Sequence, residues 1–271
     1  MDKVMKYQLL VLDIDGTANN SEKQVMEKTK KRIIELQENG IRVVLASGRP
    51  PQGVVSVAYE LQMDRFGSYI LAYNGSKIIE CGTGRCIFEK YLPRHLPVSL
   101  WKAAKEDGVG FAAYRNDAIV AGTVPDKYME LESKVSSLPI EYHENFGKYM
   151  DFPVSQCLIT GEPEDLETLE PVLTYKYVHE AQVFHSEPYY LEVTPKNVDK
   201  AYGLKHLLNI LNIPREEMVC CGDSFNDLTM IQFAGVGVAM ANAVDRLKAL
   251  ADYVTVSDND HDGVAEAIEK F

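Results

Sequence analysis

The chain has 271 residues, 46% of them hydrophobic and 25% charged, the balance of an ordinary folded protein, which excludes a disordered or collagen-like chain. Its 28 basic residues are outnumbered by 40 acidic ones, and the net charge of −12 repels nucleic-acid backbones and anionic membranes, so neither is expected as a partner. An acidic protein that handles anions must build a local positive pocket, which a bound metal ion can supply.

At about 150 residues per domain the length predicts one or two domains. The five cysteines are odd in number and form no C-x-x-C, so reduced thiols and a cytoplasmic setting are expected. The stretch from Met1 to Lys6 has no apolar signal core, and no apolar run approaches the roughly 18 residues of a membrane helix.

Tyr7 to Leu12 is a short apolar run ended by Asp13, the pattern of a buried parallel strand. Ser21 and Gln24 are spaced as a capping box opening a helix, with Val25, Thr29, Ile33 and Leu36 on one stripe and Gly40 placed to end it. Ile41 to Ala46 is a second buried strand, which completes a βαβ unit and predicts a parallel sheet. Tyr69 to Tyr73 is a third, closed by Asn74 and Gly75. From about Cys81 to Tyr190 turns and aromatics multiply. Ile78–Ile79 and Arg85 to Phe88 flank a hairpin turn at 81–84, Gln156 to Ile159 and Tyr189 to Val193 read as strands, and Glu164 to Leu173 as a helix. The α/β rhythm returns with a helix from Lys200 to Leu211. It continues as strand 218–221, helix 224–233, strand 236–240, helix 243–251, strand 253–256 and helix 264–270. The expected architecture is α/β, a Rossmann-like parallel-sheet core formed by residues 1–82 and 190–271, with a smaller α/β domain inserted at 83–189.

Ligands of open parallel sheets bind beyond the carboxyl ends of the strands. Those ends here carry Asp13-Ile14-Asp15-Gly16-Thr17, Ser47-Gly48-Arg49, Asn74-Gly75 and Gly222-Asp223-Ser224-Phe225-Asn226-Asp227. Carboxylates gathered at one edge repel unless a cation sits among them, and an all-oxygen donor set suits Mg²⁺. Asp13 and Asp15 share a face in an extended chain. One is placed to attack phosphorus and the other to shuttle a proton. Ser224 and Asp227 also form an S-x-x-D capping box, so Asp227 has a purely structural reading. Gly235-Val236-Gly237 is no dinucleotide fingerprint, because Met240 stands where its third glycine belongs.

DIDGT, ASGRP, NGS, a downstream lysine and GDSFNDLTMI, in that order and followed by GVAMANA and DGVAEAIEKF, resemble the motifs of the haloacid dehalogenase superfamily of phosphatases, its Cof-like subfamily in particular. The resemblance spans the chain and places the middle segment where the family has its cap. It implies a Mg²⁺-dependent phosphatase of small phosphorylated metabolites, sugar phosphates foremost, working through an aspartyl phosphate. A sugar phosphomutase and a non-catalytic phosphosugar sensor are the alternatives. By the same resemblance Asp13 is the nucleophile and a metal ligand. Asp15 is the acid/base, with its backbone carbonyl on the metal. Ser47, Gly48, Lys200 and Asn226 bind phosphate, and Asp223 and Asp227 serve the metal. Lys196 is a rival to Lys200, and Asn242 is either a rim residue or the cap of helix 243–251. Arg49, Tyr114, Arg115 and His185 are the polar candidates for substrate choice. Ala18 and Ala201 depart from the family pattern without removing a functional group.

Overall fold

A computed structural model describes residues 7–115 and 117–271. The stretch from Met1 to Lys6 lies outside the described residues. The chain divides into two compact units, one comprising residues through Phe88 together with Asp199–Phe271, the other Glu89–Val198.

The first part of the first unit runs β1 (Leu9–Leu12), α1 (Glu27–Glu38), β2 (Arg42–Ala46), α2 (Gln52–Glu60), β3 (Tyr69–Ala72), β4 (Lys77–Glu80) and β5 (Cys86–Glu89). The inserted unit holds α3 (Leu96–Glu106), β6 (Gly110–Arg115), β7 (Ala118–Ala121), α4 (Lys127–Ser136) and β8 (Ile140–Tyr142). It continues with α5 (Phe146–Tyr149), β9 (Cys157–Thr160), α6 (Pro163–Lys176), β10 (Ala181–Glu187) and β11 (Tyr190–Pro195). The chain then returns as α7 (Lys200–Leu211), β12 (Met218–Gly222), α8 (Leu228–Phe233), β13 (Val236–Ala239), α9 (Asp245–Lys248), β14 (Tyr253–Val254) and α10 (Gly263–Lys270).

The first unit is built on an eight-stranded sheet of order β14-β13-β12-β1-β2-β3-β4-β5. Its strands from β14 to β3 are parallel, and β4 turns back antiparallel on β3. Strand β1 lies in the middle, and all four of its residues are buried, as a strand covered on both faces requires. The inserted unit carries a six-stranded sheet, β10-β11-β9-β6-β7-β8, antiparallel except for β7 on β8. Leu96 and Leu100 of α3, Leu166 and Leu169 of α6, and Phe111, Ile159 and Val193 of the sheet join in its core. This is the α/β core with an inserted α/β domain that the sequence leads one to expect.

Three local expectations are corrected. Ser21 and Gln24 cap nothing: α1 begins at Glu27, after Met26, with no side-chain cap. Asn20 claims the local donors instead, its Oδ1 accepting the Glu22 and Gln24 N–H groups, while the Ser21 N–H and hydroxyl both go to Asp260. The helix expected over 243–251 shrinks to Asp245–Lys248, because the Val244 N–H is tied to the Asp223 carbonyl at 2.9 Å. Asn242 therefore caps no helix. It donates to the Gly16 carbonyl at 2.8 Å. Among the described residues no helix is long and apolar enough to cross a membrane.

Candidate active site

Parallel pairing aligns three strand ends. Leu12 pairs with Cys221 on one side and Leu45 on the other, and the Asp13 N–H extends the ladder to the Cys221 carbonyl at 3.0 Å. Asp13, Ser47 and Asp223 thus leave the sheet from adjacent strands at one edge. Asp13, Asp223 and Asp227 each present a carboxylate oxygen within 4.8 Å of the others.

Lys200, the first residue of α7, reaches into this cluster. Its Nζ lies 2.5 Å from Asp13 Oδ1 and 2.5 Å from Asp227 Oδ1. Lys200 and Asp227 are both 0% exposed and Asp13 only 6%, so the three are held in a low-dielectric interior. The Asp199 carboxylate accepts the Tyr202 N–H and caps the helix that carries Lys200. Lys196 is exposed in the inserted unit, and its backbone N–H bonds Glu180. Of the two candidate lysines, only Lys200 enters the cluster.

One ammonium cannot offset three carboxylates. Burial, and then the neighbouring Asp227 charge, push the Asp13 carboxyl well above the usual range despite Lys200. Burial and the same neighbour push Asp223 up to about 6. Burial pulls Lys200 down, but Asp13 and Asp227 outweigh it and hold the ammonium above its ordinary value. A hard cation bound by these oxygens would relieve the crowding, and the all-oxygen donor set fits one.

Asp227 serves two structures at once. Its Oδ2 accepts the N–H groups of Asp223 and Ser224, completing the capping box, while Oδ1 meets Lys200. Asp223 is steadied by Thr17, whose hydroxyl donates to Oδ1 at 2.8 Å. Gly16 is required between them. Its φ is +82°, and a side chain there would fall on the Asp223 carboxylate.

The Asp15 side chain does not join the cluster. Arg49 and Lys23 hold its carboxylate, and although burial opposes them, they keep its pKa below the ordinary value. The buried Ser47 hydroxyl accepts the Arg49 N–H at 3.1 Å, and the Ser47 carbonyl accepts the Asn74 N–H at 3.0 Å. Asn226 donates to Asn74 Oδ1 at 3.1 Å, and a Cβ on Gly48 would stand 2.9 Å from Asn74 Nδ2. Asn74 therefore knits Ser47, Gly48 and Asn226 into one wall. The polar candidates of the inserted unit have partners of their own. Tyr114 donates to Glu132, Arg115 to Asp117 and Glu141, and His185 Nδ1 lies 3.3 Å from the Glu187 carbonyl.

The model of the family described as haloacid dehalogenase-like hydrolase matches residues 10–268. The chain belongs to this family. A haloacid dehalogenase-like hydrolase from Bacteroides thetaiotaomicron has a solved structure that superposes with a TM-score of 0.92 at 42% identity, covering 97% of this chain and 99% of that one. The Bacillus subtilis protein YkrA, a candidate phosphatase by name, is 31% identical over 98% of both chains. The Bacillus subtilis 5-amino-6-(5-phospho-D-ribitylamino)uracil phosphatase YcsE is 29% identical over 97% of this chain and 95% of its own.

In this haloacid dehalogenase-like hydrolase, sequence reasoning passed over Thr17, Lys23 and Asn74 as individual site residues. Thr17 stands inside the DIDGT motif and Asn74 at a strand end, so position flagged both. Lys23 carried no signal, because its reach to Asp15 exists only once the 16–26 segment has folded back, with bridges from Asn19 to Asp15 and Val25.

Proposed function

We propose that the protein is a Mg²⁺-dependent phosphatase of small phosphorylated metabolites, sugar phosphates foremost, that works through an aspartyl phosphate, an acyl phosphate on Asp13. The observation that carries this reading is the buried Asp13 carboxylate at the end of the central strand, sharing Lys200 with Asp227 and lying within 4.8 Å of Asp223 and Asp227. Asp13, Asp223, the Asp15 backbone carbonyl and Asp227 are the groups we assign to the metal. Mg²⁺, when bound, offsets the charge of the carboxylates and of the phosphoryl oxygens.

A carboxylate oxygen of Asp13 attacks phosphorus in line, and the ester P–O bond breaks. Asp15, carrying the proton it took from water in the preceding turnover, gives it to the departing alkoxide, and the alcohol leaves. Asp15 then takes a proton from water, whose oxygen attacks the same phosphorus. The bond from phosphorus to Asp13 breaks, freeing inorganic phosphate and the carboxylate. The Ser47 hydroxyl, the Gly48 amide, Lys200 and Asn226 hold the phosphoryl oxygens, so catalysis is mainly positioning and electrostatics. The inserted unit, Glu89–Val198, is assigned the choice of leaving group. A cytoplasmic setting, in keeping with five free cysteines, belongs to the same proposal.

The test is a screen of phosphorylated metabolites with Mg²⁺ and a phosphate readout, run with wild type and Asp13→Asn. Sugar phosphates and the ribityl phosphate monoester named for YcsE belong in the set. Stoichiometric phosphate release that Asp13→Asn abolishes supports the reading. An isomeric sugar phosphate without free phosphate points to a mutase, and binding without turnover to a sensor.

A further inference from the structure

Asp15 is held by cations on both oxygens. Arg49 Nε donates to Oδ2 at 2.8 Å, Arg49 Nη2 to Oδ1 at 2.6 Å, and Lys23 Nζ to Oδ1 at 2.8 Å. An ionised carboxylate offers about four lone-pair positions. Three are taken, and the fourth belongs to Oδ2.

The two cations differ in what they can fix. The Lys23 side chain is 64% exposed, sits on a turn and makes one bond through a rotatable ammonium. The Arg49 side chain is only 20% exposed and grips with a planar fork. It is also anchored elsewhere, with Nη1 on the Gly53 carbonyl at 3.2 Å, its own N–H on the Ser47 hydroxyl and its carbonyl on the Tyr73 N–H. The guanidinium therefore sets the plane of the carboxylate and the direction of its open lone pair.

We infer that Arg49 is the positioning residue for Asp15, holding the carboxylate so that its open Oδ2 lone pair faces the exchangeable proton. The inference rests on the acid/base role proposed for Asp15. It takes Arg49 out of the group of polar candidates for substrate choice. Arg49 acts on Asp15, and the substrate's identity does not depend on it.

The discriminating measurement compares phenyl phosphate with p-nitrophenyl phosphate. The rings bind alike, but nitrophenolate departs without a proton and phenolate needs one. kcat/KM covers steps through the first departure, where the acid acts. For Arg49→Ala the ratio of kcat/KM for phenyl to nitrophenyl phosphate is expected to fall at least about tenfold. The nitrophenyl value itself should fall no more than about fivefold, and kcat should fall for both esters, since water activation still needs Asp15. Asp15→Asn should show the same signature, and Arg49→Lys should recover part of the ratio. Because both esters are assayed on one preparation, the ratio is independent of how much of a variant folds. A ratio within about threefold of wild type in Arg49→Ala, with Asp15→Asn showing the signature, overturns the positioning role and leaves the phosphatase reading intact. Turnover retained in Asp13→Asn overturns that reading itself.

Discussion

Replacing Lys200 with methionine keeps most of the side-chain volume and removes the charge. In the native protein the ammonium is completely buried, 2.5 Å from one oxygen of each of two buried carboxylates. Taking away one partner of such a group strands charge in a low-dielectric interior, at a cost of about 3–5 kcal/mol. For a chain of this size that corresponds to a fall in Tm of about 6–20 °C. The loss must depend on pH. Without Lys200 the folded-state pKa of Asp13, already raised, climbs further. An acid whose folded pKa lies above its unfolded one loses stability as pH rises between the two values, because the native state holds the proton longer. The deficit of Lys200→Met is therefore larger at pH 8 than at pH 5, and Mg²⁺ added at pH 8 narrows it. Thermal unfolding in EDTA at the two pH values, then with Mg²⁺, measures all three effects. A fall below about 3 °C at pH 8, or a larger fall at pH 5, would refute the reasoning.

With Asp223 on the metal as proposed, Mg²⁺ affinity is expected to follow the ionisation of this carboxyl, which burial and Asp227 push up to about 6. Binding should weaken by about tenfold or more per pH unit below that value, as read by isothermal titration calorimetry. Equal affinity at pH 5 and pH 7 would contradict the assignment. Gly16→Ala forces a β-carbon into a backbone of φ +82° and onto the Asp223 carboxylate. It should cost about 1–3 kcal/mol in denaturant unfolding and weaken Mg²⁺ at least about tenfold. Unchanged metal binding in a folded Gly16→Ala protein would show that Asp223 lies away from the metal.

The parallel core is legible because strands buried on both faces read as apolar runs, and the register of β1 with its neighbours then brings distant motifs to one edge. Helix α2 went unread, since QGVVSVAYE is rich in β-branched valines that favour strands, and only its buried positions 53, 54, 57 and 58 betray helical spacing. The capping box at Ser224 held while the one at Ser21 failed, although both match in sequence. Asp227 can turn back on its own N-terminus, whereas the Asn20 side chain reaches the local donors before Gln24 can. Lys196 and Lys200 flank Asn197, a residue with φ of +58°, and the turn it makes separates an exposed lysine from a buried one. No spacing rule shows that. Asp227 had two rival readings in sequence, helix cap and active-site acid, and its two oxygens allow one side chain to touch both the cap donors and Lys200.

The central claim is that Asp13 itself carries the phosphoryl group during turnover. Rapid acid quench of the enzyme reacting with Mg²⁺ and p-nitrophenyl phosphate, followed by borohydride reduction and peptide mass mapping, reads this directly. Reduction of an aspartyl phosphate turns the residue into homoserine, and the expected site is residue 13 alone. Homoserine at another aspartate, or an unmodified chain from an enzyme quenched in rapid turnover, would contradict the account.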